Sequence, residues 1–361
     1  TVGGAVTGNG VKSASADVAS KAIVGGNLVV SSNNGNDSQS ATERSYIRDA
    51  KTGAASASET ITSISGAAAA QGNAVATVAG TVEGGTYVAA GRGDATVTLT
   101  GVSEDYVTAI ASSSVTKTTT ERTWTGKTKS ASDDFGTLVG SLTGRTFEES
   151  VTSETTRVGG KATVLVDSAQ ALKDKAIAAT DSVYAFGLAG ASVSVTKGSI
   201  VDGDVEADSF DFNSIATSTT SDDGKGTVNL SNKTTTTIVG GPATVTNAGI
   251  ISDDARATSA TSATVTNTGK IGDDVSASAI IIGQNSASET TNFGKASLQT
   301  TTETFTPVVA LGKATVTNAA GAIIGGGIEV EAGEGTVTND GTVGGTTVLG
   351  RNIDTASRTI T

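Results

Sequence analysis

Short runs of this chain alternate apolar and polar residues with period two, and the runs recur. They read Ala243-Thr244-Val245-Thr246-Asn247, Ala263-Thr264-Val265-Thr266-Asn267, Ala314-Thr315-Val316-Thr317-Asn318 and Gly335-Thr336-Val337-Thr338-Asn339. The alternation predicts a strand with one face buried, Val inward and Thr outward. Asn247-Ala248-Gly249 and Asn267-Thr268-Gly269 then interrupt it. Asn and Gly tolerate left-handed backbone angles, so a corner is expected there, and stacked Asn side chains would form an amide ladder along it. The first pair of phrases is 20 residues apart (247 to 267) and the last pair 21 (318 to 339). A period near 20 predicts an all-β fold, a parallel β-helix (β-solenoid) with irregular insertions.

Further apolar positions follow each phrase. Ile271 and Val275 come six and ten places after Val265, as do Ile251 and Ala255 after Val245, and Val201 and Val205 after Val195. Val337 is followed by Val343 and Val348; Val316 is followed by Ile323 and Ile328, after an insertion at Ala319-Ala320. Weaker copies lie upstream: Val78 to Gly85, which precedes Asp94 to Thr98 by 19 residues Val to Val (78 to 97), then Lys161 to Val164, Ser192 to Val195, Gly226 to Val228, and the opening Gly4 to Gly10. Residues 102–160 and 276–312 fit the period poorly. Ser168 to Phe186, with Leu172, Ile177, Ala179 and Val183 behind a Ser cap, predicts a short helix, and Ser40-x-x-Glu43 predicts another near Tyr46 and Ile47. The organisation read from this is N-terminal solenoid repeats over 1–101, an irregular insertion region over 102–190, and C-terminal repeats over 191–361. At about 20 residues a tier, the chain would make at most about 18 tiers, a rod up to roughly 85 Å long.

Composition agrees with a thin stacked core. Gly is 46 of 361 residues and Pro only 2; prolines would interrupt a strand ladder. Aromatics are 3%, few for the core of an ordinary globular protein of this size. Cys, Met and His are absent. Without Cys and His there are no disulfides, thiolate nucleophiles, imidazole metal sites or Ser-His-Asp triads. The net charge is −12, from 24 basic and 36 acidic residues, which argues against nucleic acid as a partner and favours solubility or hard cations. No run of about 18 apolar residues predicts a membrane-spanning helix. The first residue is Thr1, without Met and without a signal-like segment, as in a processed chain or a fragment.

The phrase Val265-Thr266-Asn267-Thr268-Gly269-Lys270-Ile271 resembles the repeats in passenger domains of bacterial autotransporters and related β-helical adhesins. The resemblance covers 191–361 well and 1–101 loosely. It implies an extracellular or cell-surface location, a right-handed parallel β-helix, and a role as adhesin, filament or matrix component. Surface glycans or a host matrix are the partners it implies. No membrane barrel follows residue 350, and no functional residues carry over.

Three groups of residues could carry chemistry. Asp204, Asp254 and Asp274 fall nine places after their reference Val, with Asp202, Asp253 and Asp273 beside them. Stacked in register, such carboxylates repel unless a cation such as Ca²⁺, with its six to eight oxygen ligands, sits between them. A solvated acidic corner in which Asp serves turn geometry is the alternative. Asp202, Asp204, Glu206 and Asp208 also alternate along what reads as one face of a strand. The Thr-x-Thr pairs 244/246, 264/266, 315/317 and 336/338 form a strip like the ice-binding faces of some solenoids, with an interruption expected between 268 and 313. Arg92-Gly93-Asp94 matches an integrin-binding tripeptide.

Repeat-like sequence runs from about residue 3 to about residue 350 without a polar cap. A solenoid without caps leaves strand edges to which further copies can add, and head-to-tail addition gives an open filament. The function expected is therefore a secreted, non-catalytic structural or adhesive surface protein that assembles with copies of itself into a filament or surface layer. The first alternative is a carbohydrate-active enzyme, a polysaccharide lyase or hydrolase on a β-helix, marked by carboxylates and a Lys or Arg off the repeat register. The second is an ice-binding protein.

Overall fold

A computed structural model describes residues 4–9, 13–32, 37–66, 72–129, 134–168, 179–293, 298–350 and 358–360. The protein is all-β, with curled and largely parallel sheets. One sheet of nine strands carries the T-V-T-N phrases. It runs from Ala14–Val18 through Ala74–Val78, Ala95–Leu99, Lys161–Val166, Gly190–Val195, Ala243–Asn247, Ser262–Asn267 and Lys313–Asn318 to Glu334–Asn339, every neighbouring pair parallel. Two-residue strands after the corner stack likewise, Ile250–Ile251 on Lys270–Ile271 on Ile323–Ile324. A third set of parallel strands includes Val205–Ser209, Ala255–Ser259, the start of Val275–Phe293, Ile328–Ala332 and Thr347–Gly350. Consecutive strands thus alternate among three sheets, and each pairs with its counterpart one tier away.

The inward positions of all three sets meet in one continuous core of small apolar residues, among them Ala243, Val245, Ile251, Ala255 and Ala257, all fully buried. Each fully buried Val or Ile contributes about 1.5–3 kcal/mol. Asn247, Asn267 and Asn318 also point inward and are fully buried. The amide Nδ2 of Asn267 donates to Asn318 Oδ1 (2.9 Å) and to the Ile323 carbonyl (3.1 Å). Its Oδ1 accepts from Asn247 Nδ2 (2.9 Å) and from the Gly269 N–H (3.1 Å). The ladder continues from Asn318 to Asn339 (2.8 Å), so the amide ladder expected from the repeats is present and satisfied on both sides of Asn267.

The residues that break the period form a second structure. Asp37–Arg48 with Ala54–Gly66, Ser113–Lys127 with Thr143–Val158, Asp211–Asp222 with Thr227–Val239, and the distal part of Val275–Phe293 with Leu298–Leu311 are four antiparallel hairpins. Each leaves after a strand of the third set and returns just before a T-V-T-N-face strand. They pair edge to edge into one antiparallel wing. Ser209 closes the base of the third hairpin: its Oγ donates to the Gly187 carbonyl (2.6 Å) and accepts the Gly241 N–H (2.9 Å).

Ser and Thr dominate the wing, and hydroxyls meet across strands, as at Thr116–Thr155 (3.0 Å) and Ser45–Ser58 (2.7 Å). A row of alternating charge crosses four strands: Arg44 Nε contacts Glu59 (2.7 Å), Glu59 contacts Arg122 Nη1 (3.1 Å), and Arg122 Nε contacts Glu149 (2.6 Å). The Arg44 guanidinium, more than the Arg122 one, holds the buried Glu59 carboxyl below the usual range. In the next row Trp124 stacks near Phe147 and meets Phe135 edge-on, at 5.6 and 5.8 Å between ring centroids. Phe135 opens the helix Phe135–Gly140, which Asp134 caps.

Several expectations change. Asp37–Arg48 and Ser182–Gly187 are strands, so the predicted helices fail at Ser40–Ile47 and at Val183–Phe186; residues 169–178 lie outside the described residues. β-Branched and hydroxyl residues with cross-strand partners outweigh the cap-like Ser and Glu. Val6–Asn9 pairs with Leu28–Ser31 in the third set and is no copy of the phrase. Val97 stacks on Ala76 and Val193 on Val245, so the local spacing is 21 (76 to 97) and the Val195 reference is two residues late. Val228 belongs to a wing strand. Nine strands stack on the phrase face, about half the tiers estimated, because the wing absorbs the remaining chain. Insertion is also not confined to 102–190, since hairpins occupy 37–66, 211–239 and 280–311.

Asn267→Ala strands four buried partners and lowers stability by about 3 kcal/mol. Asn339→Ala, at the exposed end of the ladder, costs less than about 1 kcal/mol. Urea unfolding of both variants checks the contrast.

Candidate functional site

The acidic corner lies where the two-residue strands turn into the third set. Parallel stacking puts Asp204, Asp254 and Asp274 in one column, as the repeat predicts. Each carboxylate caps the tier beside it: Asp204 Oδ1 accepts the Asp254 N–H (3.1 Å), Asp254 Oδ1 the Asp274 N–H (2.9 Å), and Asp274 Oδ1 the Gly327 N–H (2.6 Å). An Asx side chain performs the same task elsewhere. Asn27 Oδ1 takes the Gly85 N–H (3.0 Å), and Asn73 Oδ1 takes the Asp94 N–H (3.0 Å). Asp94 Oδ1 in turn takes the Lys161 N–H (2.8 Å), which gives the Asp of the Arg92-Gly93-Asp94 tripeptide a structural duty.

Asp254, Asp273 and Asp274 each bring a carboxylate oxygen within 4.8 Å of the others. Asp202, Asp204 and Asp253 are not part of that group. Asp202 occupies a different column and accepts a hydrogen bond from Ser252 Oγ (3.2 Å). Three carboxylates can supply three of the six to eight oxygens a Ca²⁺ takes, leaving the others to water. A shallow groove opens beside them, lined by Asp254, Arg256, Asp274, Ser276, Gly327 and Glu329.

On the adjoining outer face the side chains depart from the repeat. Tyr184, Glu206 and Arg256 occupy one outward column, and Phe186, Asp208 and Thr258 the next. Only Val205–Ser209 is strand, so Glu206 and Asp208 share a strand face while Asp202 and Asp204 sit in the bend before it. Arg256 Nη1 contacts Glu206 Oε1 at 3.1 Å. Desolvation, then the Asp208 charge, raises the Glu206 pKa against the opposing pull of Arg256. Desolvation also raises Asp208, opposed by Thr258, Arg256 and Tyr184. The Tyr184 hydroxyl is raised too, first by desolvation and then by Asp208 and Glu206. Asp208 Oδ1 is buried without a hydrogen-bond partner. The period flagged the acidic corner; the alternation at 206 and 208 held a signal for this pair, but only the stacking shows Tyr184 and Arg256 as its neighbours.

The Thr-x-Thr strip is continuous. Thr264 stacks on Thr244 and Thr315, and Thr266 on Thr246 and Thr317. The expected interruption does not occur, because the hairpin between 280 and 311 leaves from another corner.

No family model matches the chain, and neither a curated protein nor a solved structure matches it.

A carboxyl whose pKa is raised by folding stabilises the protein below its unfolded pKa and loses that contribution as pH rises through its folded value. Asp208→Asn therefore raises stability at pH 7 by about 1 kcal/mol, and the gain disappears as pH falls below about 4. Thermal melts across that range measure it.

Proposed function

We propose that the parallel strands wind as a β-solenoid, a parallel β-helix with hairpin insertions, and that the protein is a non-catalytic structural or adhesive component of a bacterial cell surface that assembles with copies of itself. One observation carries the assembly reading. At the last described tier, inward positions are open. Leu349 lies in the column of Val330, yet Leu349 is 60% exposed while Val330 is buried. Glu334–Asn339 pairs on one side only among the described residues. An edge with unpaired N–H and C=O groups and exposed apolar residues is a template for another strand. The first described tiers present the complementary parallel edge, so head-to-tail addition continues the backbone ladder. The resemblance of the V-T-N-x-G-x-I phrase to autotransporter passenger repeats supports the extracellular location and the adhesive role. The Asp254, Asp273 and Asp274 carboxylates are the place for Ca²⁺, and surface glycans or host matrix are further partners.

Electron microscopy of the purified protein at high concentration, with and without Ca²⁺, tests the assembly. Filaments or sheets with an axial repeat are the expected result. Strictly monomeric particles under both conditions overturn it.

A specific observation favours a second reading, a polysaccharide hydrolase or lyase. Glu206, Asp208 and Arg256 lie off the repeat, and a carboxyl with a raised pKa is what a general acid needs. Release of reducing ends from soluble polysaccharides, at a rate that Asp208→Asn lowers at least 100-fold, would replace the structural reading with this one. The continuous Thr-x-Thr pairs support the ice-binding alternative in the same limited way, as a regular outward hydroxyl array.

A further inference from the structure

The wing holds the strongest indication of how copies join. Three seams inside it link one hairpin to the next: Ala54–Gly66 to Ser113–Lys127, Thr143–Val158 to Asp211–Asp222, and Thr227–Val239 to Val275–Phe293. Every seam joins the return strand of one hairpin to the outgoing strand of the next, antiparallel. Two edges remain. Asp37–Arg48 is an outgoing strand that pairs only with Ala54–Gly66 among the described residues. Leu298–Leu311 is a return strand. These are the two halves of a fourth seam, at opposite ends of one sheet, and eight alternating strands leave them with the directions such a seam requires.

Edge strands that must stay single are usually short, bulged, or guarded by Lys or Pro. Asp37–Arg48 is 12 residues long, pairs without a register shift, and contains neither Lys nor Pro. Its Ile47 is 78% exposed. The opposite edge already accepts an added strand: Arg358–Ile360 pairs antiparallel with Glu303–Phe305.

Charge selects the occupant and a register. Arg44 ends the row Arg44–Glu59–Arg122–Glu149. Setting Arg44 against Glu303 of another copy extends that alternation by one member. It also places Thr42 against Phe305 and Ser45 against Thr302, and brings no two like charges opposite each other. Opposite charges directly across a strand pair stabilise it, and like charges oppose it.

We propose that Asp37–Arg48 of one copy docks antiparallel on Leu298–Leu311 of a second copy, at the place that Arg358–Ile360 fills within a single chain. The seam runs alongside the junction of the parallel sheets, so one head-to-tail contact continues both structures. Arg358–Ile360 is then a plug that the incoming strand displaces. The inference rests on the self-association reading above and gives it a contact.

The chain has no Cys, so engineered thiols report without background. In the double variant Ser45→Cys with Thr302→Cys, mild oxidation should yield a ladder of covalent multimers on a non-reducing gel, at least ten-fold above either single variant. In Thr304→Cys with Thr359→Cys, an intramolecular disulfide should lock the plug and reduce filament mass at least ten-fold, and reductant should restore it. Recovery on reduction shows that the variant is folded. Filaments without a ladder, or filaments unaffected by the lock, overturn the wing seam and leave self-association standing. No filaments and no ladder overturn both. Dimers alone from the Ser45→Cys single variant would mean symmetric edge pairing and overturn the proposed seam.

Discussion

Parallel backbone pairing between successive tiers is the constraint on which everything else depends. Strands about 4.8 Å apart in exact register place residue upon residue, so each column along the molecule must be chemically compatible with itself. Val, Ile and Ala satisfy this inside, where a narrow interior leaves room for little else. A polar inward residue is tolerated only if its neighbours above and below complete its hydrogen bonds. Asn267, with a donor and an acceptor facing each way, meets that condition. Glycine is required where tiers come closest: a Cβ on Gly272 would collide with the Ser252 carbonyl oxygen.

The same constraint explains how some 45 residues can be inserted without disturbing the stack. A hairpin closes its own hydrogen bonds, so its two ends return to one place. Lys313–Asn318 can therefore pair in register with Ser262–Asn267 across the intervening hairpin. Because all four hairpins leave at one corner, their outer strands come alongside and become a sheet of their own. That sheet lacks a large apolar face. Hydroxyl pairs, the Arg–Glu row and the small cluster around Trp124 and Phe147 take its place.

The acidic residues divide by how far they obey the stack. Asp204, Asp254 and Asp274 follow it and spend oxygens on the backbone of the adjacent tier, which ties their charge to the corner's geometry. Glu206 and Asp208 do not follow it. They lie beside Tyr184, Arg256 and Thr258, and Asp208 keeps a buried oxygen without a partner. A regular column is what a scaffold needs; an irregular one holds unspent interaction energy.

What the sequence determined by itself was the local pattern: the inward Val, the outward Thr, the Asn corner and the column of Asp204, Asp254 and Asp274. These are legible because period-two alternation and a near-constant spacing are properties of a single tier and its copy. Tertiary structure decided the rest. Residues 37–66, 113–158, 211–239 and 280–311 have no inward column to follow, so nothing in the period indicates that they pair with one another. The cap-like Ser40-x-x-Glu43 became a strand because cross-strand partners more than 10 residues away outweigh a local capping preference. Asp202 and Asp253 parted from the residues they neighbour because stacking, unlike sequence adjacency, assigns each bend residue to its own column. The surroundings of Glu206 and Asp208, and the two complementary edges of the wing, exist only once segments distant in the chain are brought side by side.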